Sequence, residues 1–335
     1  MAIAVALILA GCQPDAVAPT PSPTPFRTSP SPSPTQRPTP TPPPLRSPFP
    51  GVVASAGCSA AEEPPTTLLV TVDGVPREAE IHQPSRLPAG PAPVVLAFHG
   101  YSGTSAEVEG RTGLSDKANS AGFIVVYPQG LGGDSSQWDL AGDTDVTFVR
   151  AVVAYLEAHL CVDTRRIYAT GFSMGGGMAN VLGCRMSKEI AAIAPVSALH
   201  GAKWEGKCSP TTPVPIVAFH GKLDDTLPYE GGEIVAFSGW AGRPQSPFRD
   251  WMGSWGTHNG CAANLRVLAP VAVGDVLRMD LPNCRAPVVL YTITDGGHTW
   301  PGGNNDAADG VTSTDVNATD AIWDFFAANP LPAAP

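Results

Sequence analysis

Short unbroken apolar runs alternate along the chain with stretches in which apolar positions recur every three or four residues. Pro93–Phe98, Phe123–Tyr127, Ile167–Thr170, Pro215–Phe219 and Val288–Ile293 are of the first kind. Such runs, with no in-and-out alternation, predict strands covered on both faces, as in a parallel sheet. Thr147–His159, the segment holding Met178, Ala179, Val181 and Leu182, and Asp315–Ala328 have helical spacing. Strand and helix alternating in this way predict an α/β fold with a mostly parallel central sheet flanked by helices. No internal repeat is visible. Of the 335 residues the first fifty have a non-globular composition, and residues 51–335 suffice for one large domain with a single core.

Candidate chemistry sits where these strands end. Ile167–Thr170 runs into Gly171-Phe172-Ser173-Met174-Gly175, a G-x-S-x-G pattern set between a strand and a helix. A serine at such a turn is held in a strained backbone with its hydroxyl lifted out of the sheet. The following helix aims its unpaired N–H groups and positive dipole end at the same place. A serine nucleophile needs a base, and the base needs an orienting carboxylate. Pro215–Phe219 leads into His220-Gly221-Lys222-Leu223-Asp224-Asp225, and Val288–Ile293 leads into Asp295-Gly296-Gly297-His298. The order Ser, Asp, His is that of α/β-hydrolases. Of the seven histidines, His298 is the candidate base. His99 and His220 precede glycines at strand ends, where a histidine orders a loop, and His82, His159, His200 and His258 read as surface or structural. Asp224 and Asp225 compete for the acid role, and composition does not separate them. The expected oxyanion donors are the backbone N–H groups of Met174 and of Tyr101, in the loop His99-Gly100-Tyr101-Ser102-Gly103 after an early strand.

Four stretches carry a resemblance to a known family: F-H-G-Y-S-G at 98–103, C-V-D-T-R-R-I-Y-A-T-G-F-S-M-G-G-G-M-A at 161–179, F-H-G-K-L-D-D-T-L-P-Y-E-G-G at 219–232 and G-G-H-T-W-P-G-G at 296–303. The chain resembles the extracellular esterases that group polyhydroxybutyrate depolymerases, feruloyl esterases and LpqC-like lipoproteins. The resemblance implies an α/β-hydrolase fold and a serine esterase without metal or organic cofactor, acting on polysaccharide-linked or phenolic esters (feruloyl or acetyl) or on 3-hydroxybutyrate oligomers. It also places the catalytic aspartate three residues after the glycine of the His-Gly element, at Asp224. The chain departs from the family pattern at Tyr101, where a small residue is common, at Met174, where the elbow often has asparagine, and at Asp225, where proline is common. Trp300, which recurs in the family motif two residues after the base, is expected as a pocket wall, with His99 beside it.

The amino terminus concerns location. Residues 2–11 are uncharged and apolar, and Leu9-Ala10-Gly11-Cys12 matches a lipobox, so residues 1–12 read as a lipoprotein signal with Cys12 as the lipidation site. The run is too short to span a bilayer and lacks a preceding Lys or Arg, which points to an atypical signal or to a start upstream of Met1. Residues 13–50 hold 15 prolines and four charges and read as an extended, disordered tether. The expected location is therefore extracellular, lipid-anchored to a bacterial envelope. Six cysteines remain after Cys12, an even number that suits an oxidising compartment. Six cysteines allow fifteen pairings. The expected set is Cys58–Cys161, which would pin the first strand, with the sequence neighbours Cys184–Cys208 and Cys261–Cys284. No cysteine has metal-ligand spacing.

Charge narrows the partners. The chain carries −10, and since the tether sets Asp15 against Arg27, Arg37 and Arg46, residues 51–335 carry −12. This excludes nucleic acid as an expected partner and favours a neutral ester. Seven tryptophans (Trp138, Trp204, Trp240, Trp251, Trp255, Trp300 and Trp323) offer flat apolar faces, most of them expected in the core or at its rim. A monomer is expected. Two other function classes share these features: a serine peptidase of the same fold, and a surface binding lipoprotein with a non-catalytic hydrolase domain. Peptide cleavage would mark the first and a broken triad the second.

Overall fold

The computed structural model describes residues 51–59, 63–87, 89–201, 208–234, 243–262 and 270–333. The signal segment with Cys12, the tether, Trp204 and Trp240 lie outside these residues. The sheet has ten strands: β1 (Thr67–Val72), β2 (Val75–His82), β3 (Ala92–Phe98), β4 (Ile124–Pro128), β5 (Val162–Phe172), β6 (Ala192–Val196), β7 (Ile216–Gly221), β10 (Val271–Val273), β11 (Val276–Asp280) and β12 (Val288–Ile293). A separate two-stranded pair joins β8 (Gly232–Glu233) to β9 (Pro244–Gln245). The order is β1-β2-β4-β3-β5-β6-β7-β12-β11-β10. Its six central strands, β4 to β12, run parallel, and an antiparallel hairpin closes each edge.

The central strands are apolar on both faces because both are covered. In β3, Val94, Leu96 and Phe98 join one core cluster while Val95 and Ala97 join the other. The first cluster takes the apolar sides of α3 (Thr144–His159), α4 (Met174–Arg185) and α5 (Phe248–His258). The second takes α1 (Ser105–Thr112), α2 (Leu114–Ala121) and α6 (Ala318–Ala328). Full burial of each such Val, Leu or Phe side chain stabilises by about 1.5–3 kcal/mol. On the second face, Phe123 stacks on Trp323 at 4.0 Å and Tyr168 on Phe326 at 4.6 Å between ring centroids, which seats the last helix against the sheet.

Disulfides join Cys58 to Cys161, Cys184 to Cys208 and Cys261 to Cys284. The first spans 103 residues and ties the segment before β1 to the start of β5, the kind of long loop whose closure restricts the unfolded chain most. Among the described residues no helix is long and apolar enough to cross a membrane.

Candidate active site

β5 delivers Ser173 directly into α4. Ser173 has φ 57° and ψ −118°, a conformation that costs a non-glycine residue about 1–3 kcal/mol and persists only where the surroundings enforce it. Here β6 and its following turn enforce it: the Ser173 N–H donates to the Val196 carbonyl at 3.0 Å, and its own carbonyl accepts from the Leu199 N–H at 2.9 Å. Two glycines make room. A Cβ on Gly175 would stand 2.0 Å from the Phe98 carbonyl oxygen, and one on Gly171 would stand 2.4 Å from the Gly175 backbone. Met174 is the first helical residue, so its N–H belongs to the group that has no acceptor within the helix.

Asp224 lies in the turn after β7, buried at 4 % exposure, whereas Asp225 is exposed. Asp224 Oδ1 accepts from the backbone N–H groups of Thr226 (3.0 Å) and Leu227 (2.7 Å), and Oδ2 accepts from His298 Nδ1 at 2.8 Å. Burial, the largest influence, pushes this carboxyl up. His298, His220 and the Leu227 N–H together outweigh it and hold the group below the ordinary carboxylate range. Since Nδ1 of His298 is committed to Asp224, Nε2 is the nitrogen left to accept a proton. His298 follows β12, and its ring lies 4.8 Å from that of Phe172, the residue before Ser173. Ser173, His298, Phe172, Thr226 and the loop Gly100–Gly103 line one cavity of about 320 Å³. A larger polar groove of about 420 Å³ between α1, α2 and α6 contains neither Ser173 nor His298.

The loop bearing Tyr101 is fastened by His99, the histidine expected to order a loop, together with Gly130, Ser136 and Trp138, which the sequence did not mark for this role. His99 Nδ1 donates to the Gly100 carbonyl at 2.7 Å, and His99 Nε2 accepts from the Gly130 N–H at 2.9 Å. Trp138 Nε1 donates to the His99 carbonyl at 2.8 Å, and the Ser102 N–H donates to the Ser136 carbonyl at 2.7 Å. Trp138 was expected only as core or rim packing, and its bond to the His99 carbonyl adds this second role.

Two expectations about the pocket are corrected. Trp300 is fully buried, with Nε1 donating to Thr319 Oγ1 at 2.9 Å, so it packs behind the His298 loop against α6 and does not wall the cavity. His99 is also fully buried and acts on the backbone of its own loop, so it does not line the cavity either. The walls come instead from Glu107 and Arg111 of α1, Phe172, Thr226 and Asp309. His200 lies buried between the carbonyls of Ala198 and Ser246, a structural position. Among the described residues no cluster of His, Cys, Asp and Glu could hold a metal ion.

The buried histidines make stability depend on pH. Burial, the main cause, lowers the affinity of His99 and His220 for a proton. Geometry agrees, because His99 Nε2 is already an acceptor and His220 Nδ1 is buried without a hydrogen-bond partner. The unfolded chain binds protons at these histidines near pH 6.5, while the folded protein does not. Stability should therefore be pH-independent on this account above about 6.5 and fall as the pH drops below it, by up to about 3 kcal/mol per pH unit for two groups. Urea unfolding at pH 7.5 and pH 5 measures this, and a flat free energy between them would contradict it.

Comparison with known proteins gives the family. A model of the X-Pro dipeptidyl-peptidase (S15) family matches residues 73–209, which include Ser173 but stop before Asp224 and His298. Feruloyl esterase B of Piromyces equi is 34 % identical over 224 residues, covering 62 % of this chain and 39 % of that protein. NocK of Nocardia uniformis subsp. tsuyamanensis, named as an esterase, is 30 % identical over 291 residues, covering 79 % of this chain and 83 % of its own. The chain belongs to this feruloyl-esterase-related family of esterases. It spans well under half the length of the Piromyces relative and most of the Nocardia one. An acetyl xylan esterase from Aspergillus awamori superposes with a TM-score of 0.57 at 16 % identity, over 78 % of this chain and 99 % of that one, and shares the α/β-hydrolase fold.

Proposed function

We propose that the protein is an extracellular serine esterase that hydrolyses acyl esters carried on polysaccharides, feruloyl or acetyl, through an acyl-enzyme on Ser173. The observation that carries this reading is the strained Ser173 sharing one cavity with His298, whose Nδ1 is bound to the buried Asp224 at 2.8 Å. The names of the relatives supply the substrate class: Piromyces, Emericella and Aspergillus feruloyl esterases and an acetylxylan esterase of Neocallimastix. Oligomers of 3-hydroxybutyrate remain a second substrate to test.

In this mechanism Ser173 Oγ attacks the ester carbonyl as its proton passes to His298 Nε2, and Asp224 holds the imidazole in the tautomer that can accept it. The N–H groups of Tyr101 and Met174 take the developing oxyanion. His298 then gives the proton to the departing alcohol oxygen, leaving Ser173 acylated. Water, deprotonated by His298, attacks the acyl carbon and restores the Ser173 hydroxyl as the acid leaves. The expected kinetics are ping-pong, with a burst of alcohol when deacylation is slow.

An exported location is supported by three disulfide pairs, of a kind that persists in oxidising compartments, and by the lipobox match at Cys12 followed by a proline-rich segment. Lipid on Cys12 would hold the enzyme at an envelope membrane. The S15 match keeps a peptidase as the second reading.

The test is a set of initial rates for the oxidised protein on methyl ferulate, acetylated xylan, a soluble 3-hydroxybutyrate oligomer and an X-Pro peptide amide, each beside Ser173→Ala. Ester turnover that vanishes in the variant supports the proposal, and peptide turnover alone overturns it. The aspartates give a paired check. Asp224→Asn should lower kcat by about 10³–10⁴-fold, because the imidazole loses its tautomer control. Asp225→Asn, changed on an exposed side chain, should stay within about twofold, since surface changes away from such features have small effects. Equal losses in the two would contradict the assignment.

A further inference from the structure

We propose that the catalytic cleft selects its substrates by charge, taking uncharged esters and disfavouring those with a carboxylate on the acyl part. This rests on the esterase reading of Ser173 and adds to it a rule for the acyl group.

The warrant is an arginine of the cavity wall that is largely buried against two carboxylate partners, which remain more exposed than it is. Arg111 Nε donates to Glu107 Oε1 at 2.6 Å, and its Nη1 donates to Asp309 Oδ2 at 2.7 Å and Asn305 Oδ1 at 2.9 Å. Its guanidinium lies 4.4 Å over the ring of Phe172. These contacts leave its side chain 9 % exposed, against 36 % for Glu107 and 22 % for Asp309. All three residues line the cavity that holds Ser173 and His298.

The two carboxylates approach from different parts of the chain. Glu107 is in the first turn of α1, after the oxyanion loop, and Asp309 is in the turn that follows the His298 loop. The cavity walls thus carry two negative charges and one positive, and the lining includes no other Lys or Arg. Asp224, buried behind His298, adds a third carboxylate. The positive end of α4 and the backbone donors act only at the oxyanion position, since a helix-end field fades within about one turn. A carboxylate elsewhere on the bound ester would face Glu107 and Asp309, whose partial exposure leaves their repulsion open to screening by salt. The same field would hasten departure of the acid product, which leaves as an anion.

The experiment compares kcat/KM for 4-nitrophenyl butyrate and 4-nitrophenyl hemisuccinate, which share a leaving group and nearly the same acyl length. Each rate is divided by that ester's hydroxide-catalysed rate. The full-length protein should prefer the butyrate by about tenfold or more, as expected for a like charge placed within reach of the cleft. Raising sodium chloride from about 20 mM to about 500 mM should shrink the preference, because added salt shortens the screening length to a few ångströms. Glu107→Gln combined with Asp309→Asn should shrink it several-fold, and Arg111→Met should enlarge it. A normalised preference near one, or one that neither salt nor the carboxylate substitutions move, overturns the proposal. The salt series uses the unaltered protein, so it discriminates even if a variant does not fold. Failure to cleave either ester faster than Ser173→Ala would overturn the esterase reading and this proposal together, and silence on the butyrate distinguishes that case.

Discussion

Replacing Ser173 by glycine should abolish ester hydrolysis and raise the stability of the protein. The hydroxyl is the proposed nucleophile, and its loss from such a triad lowers kcat by about 10⁵-fold or more. The stability gain comes from the backbone. At φ 57° and ψ −118° the Ser173 Cβ is strained, and glycine releases that strain of about 1–3 kcal/mol. The greater freedom of glycine in the unfolded chain takes back about 0.5–1 kcal/mol. The net gain of about 1 kcal/mol corresponds to a Tm increase of roughly 2–4 °C for a domain of this size. Ser173→Ala keeps the Cβ and should lose activity equally without the thermal gain. Thermal unfolding of the three proteins side by side measures the difference, and equal midpoints for the alanine and glycine variants would show that the elbow is not strained.

Gly175→Ala should be the most disruptive single-methyl change at the site. The added carbon would lie 2.0 Å from the Phe98 carbonyl oxygen and 2.5 Å from that of His99. Neither acceptor can retreat, because Phe98 pairs with Gly171 in the β3–β5 ladder and the His99 carbonyl holds Trp138 Nε1 at 2.8 Å. α4 must therefore move off the sheet, taking Ser173 and the Met174 N–H with it. The expected cost exceeds about 4 kcal/mol, in the range reserved for gross packing or backbone conflicts. Any folded fraction should lose about 100-fold or more in kcat, as happens when reacting groups are misplaced by about an ångström. Gly110→Ala is the matched control: it sits in α1 with nothing within 4 Å of the new carbon and should stabilise by up to about 1 kcal/mol. Urea unfolding of both variants, with rates on a soluble ester, tests the contrast. A Gly175→Ala protein as stable and active as its parent would refute the close approach.

The parallel core was legible in the sequence because burial on both faces leaves no alternation to misread. Val288–Ile293 coincides with β12, and Pro93–Phe98 falls within β3. The edge hairpins were harder. β1 buries Leu68 and Val72 but also exposes the apolar Leu69 beside them, and β10 exposes Val271 and Val273, so an apolar residue there does not reliably mark the buried face. Their clearest mark is a turn such as Asp73-Gly74, both at positive φ. Ser173 and His298 were legible because each sits in a glycine-rich segment at the end of an apolar run. Asp224 and Asp225 were not separable by composition, and the structure separates them by burial and by the 2.8 Å contact with His298. Trp300 misled because closeness in sequence to His298 says nothing about side-chain direction, and its ring turns toward Thr319. Glu107, Arg111 and Asp309 were invisible as a group, since only the folded chain brings α1 against the turn at residues 307–309.

The role of Ser173 can be tested without knowing the natural substrate, by covalent labelling of the intact protein with a serine-directed fluorophosphonate. Peptide mass mapping and residual esterase activity are then read on the same samples. One adduct per chain is expected, located on Ser173, accumulating in step with the loss of activity and absent from Ser173→Ala. Loss of activity with Ser173 unmodified, or full modification of Ser173 with activity retained, would contradict a nucleophilic Ser173.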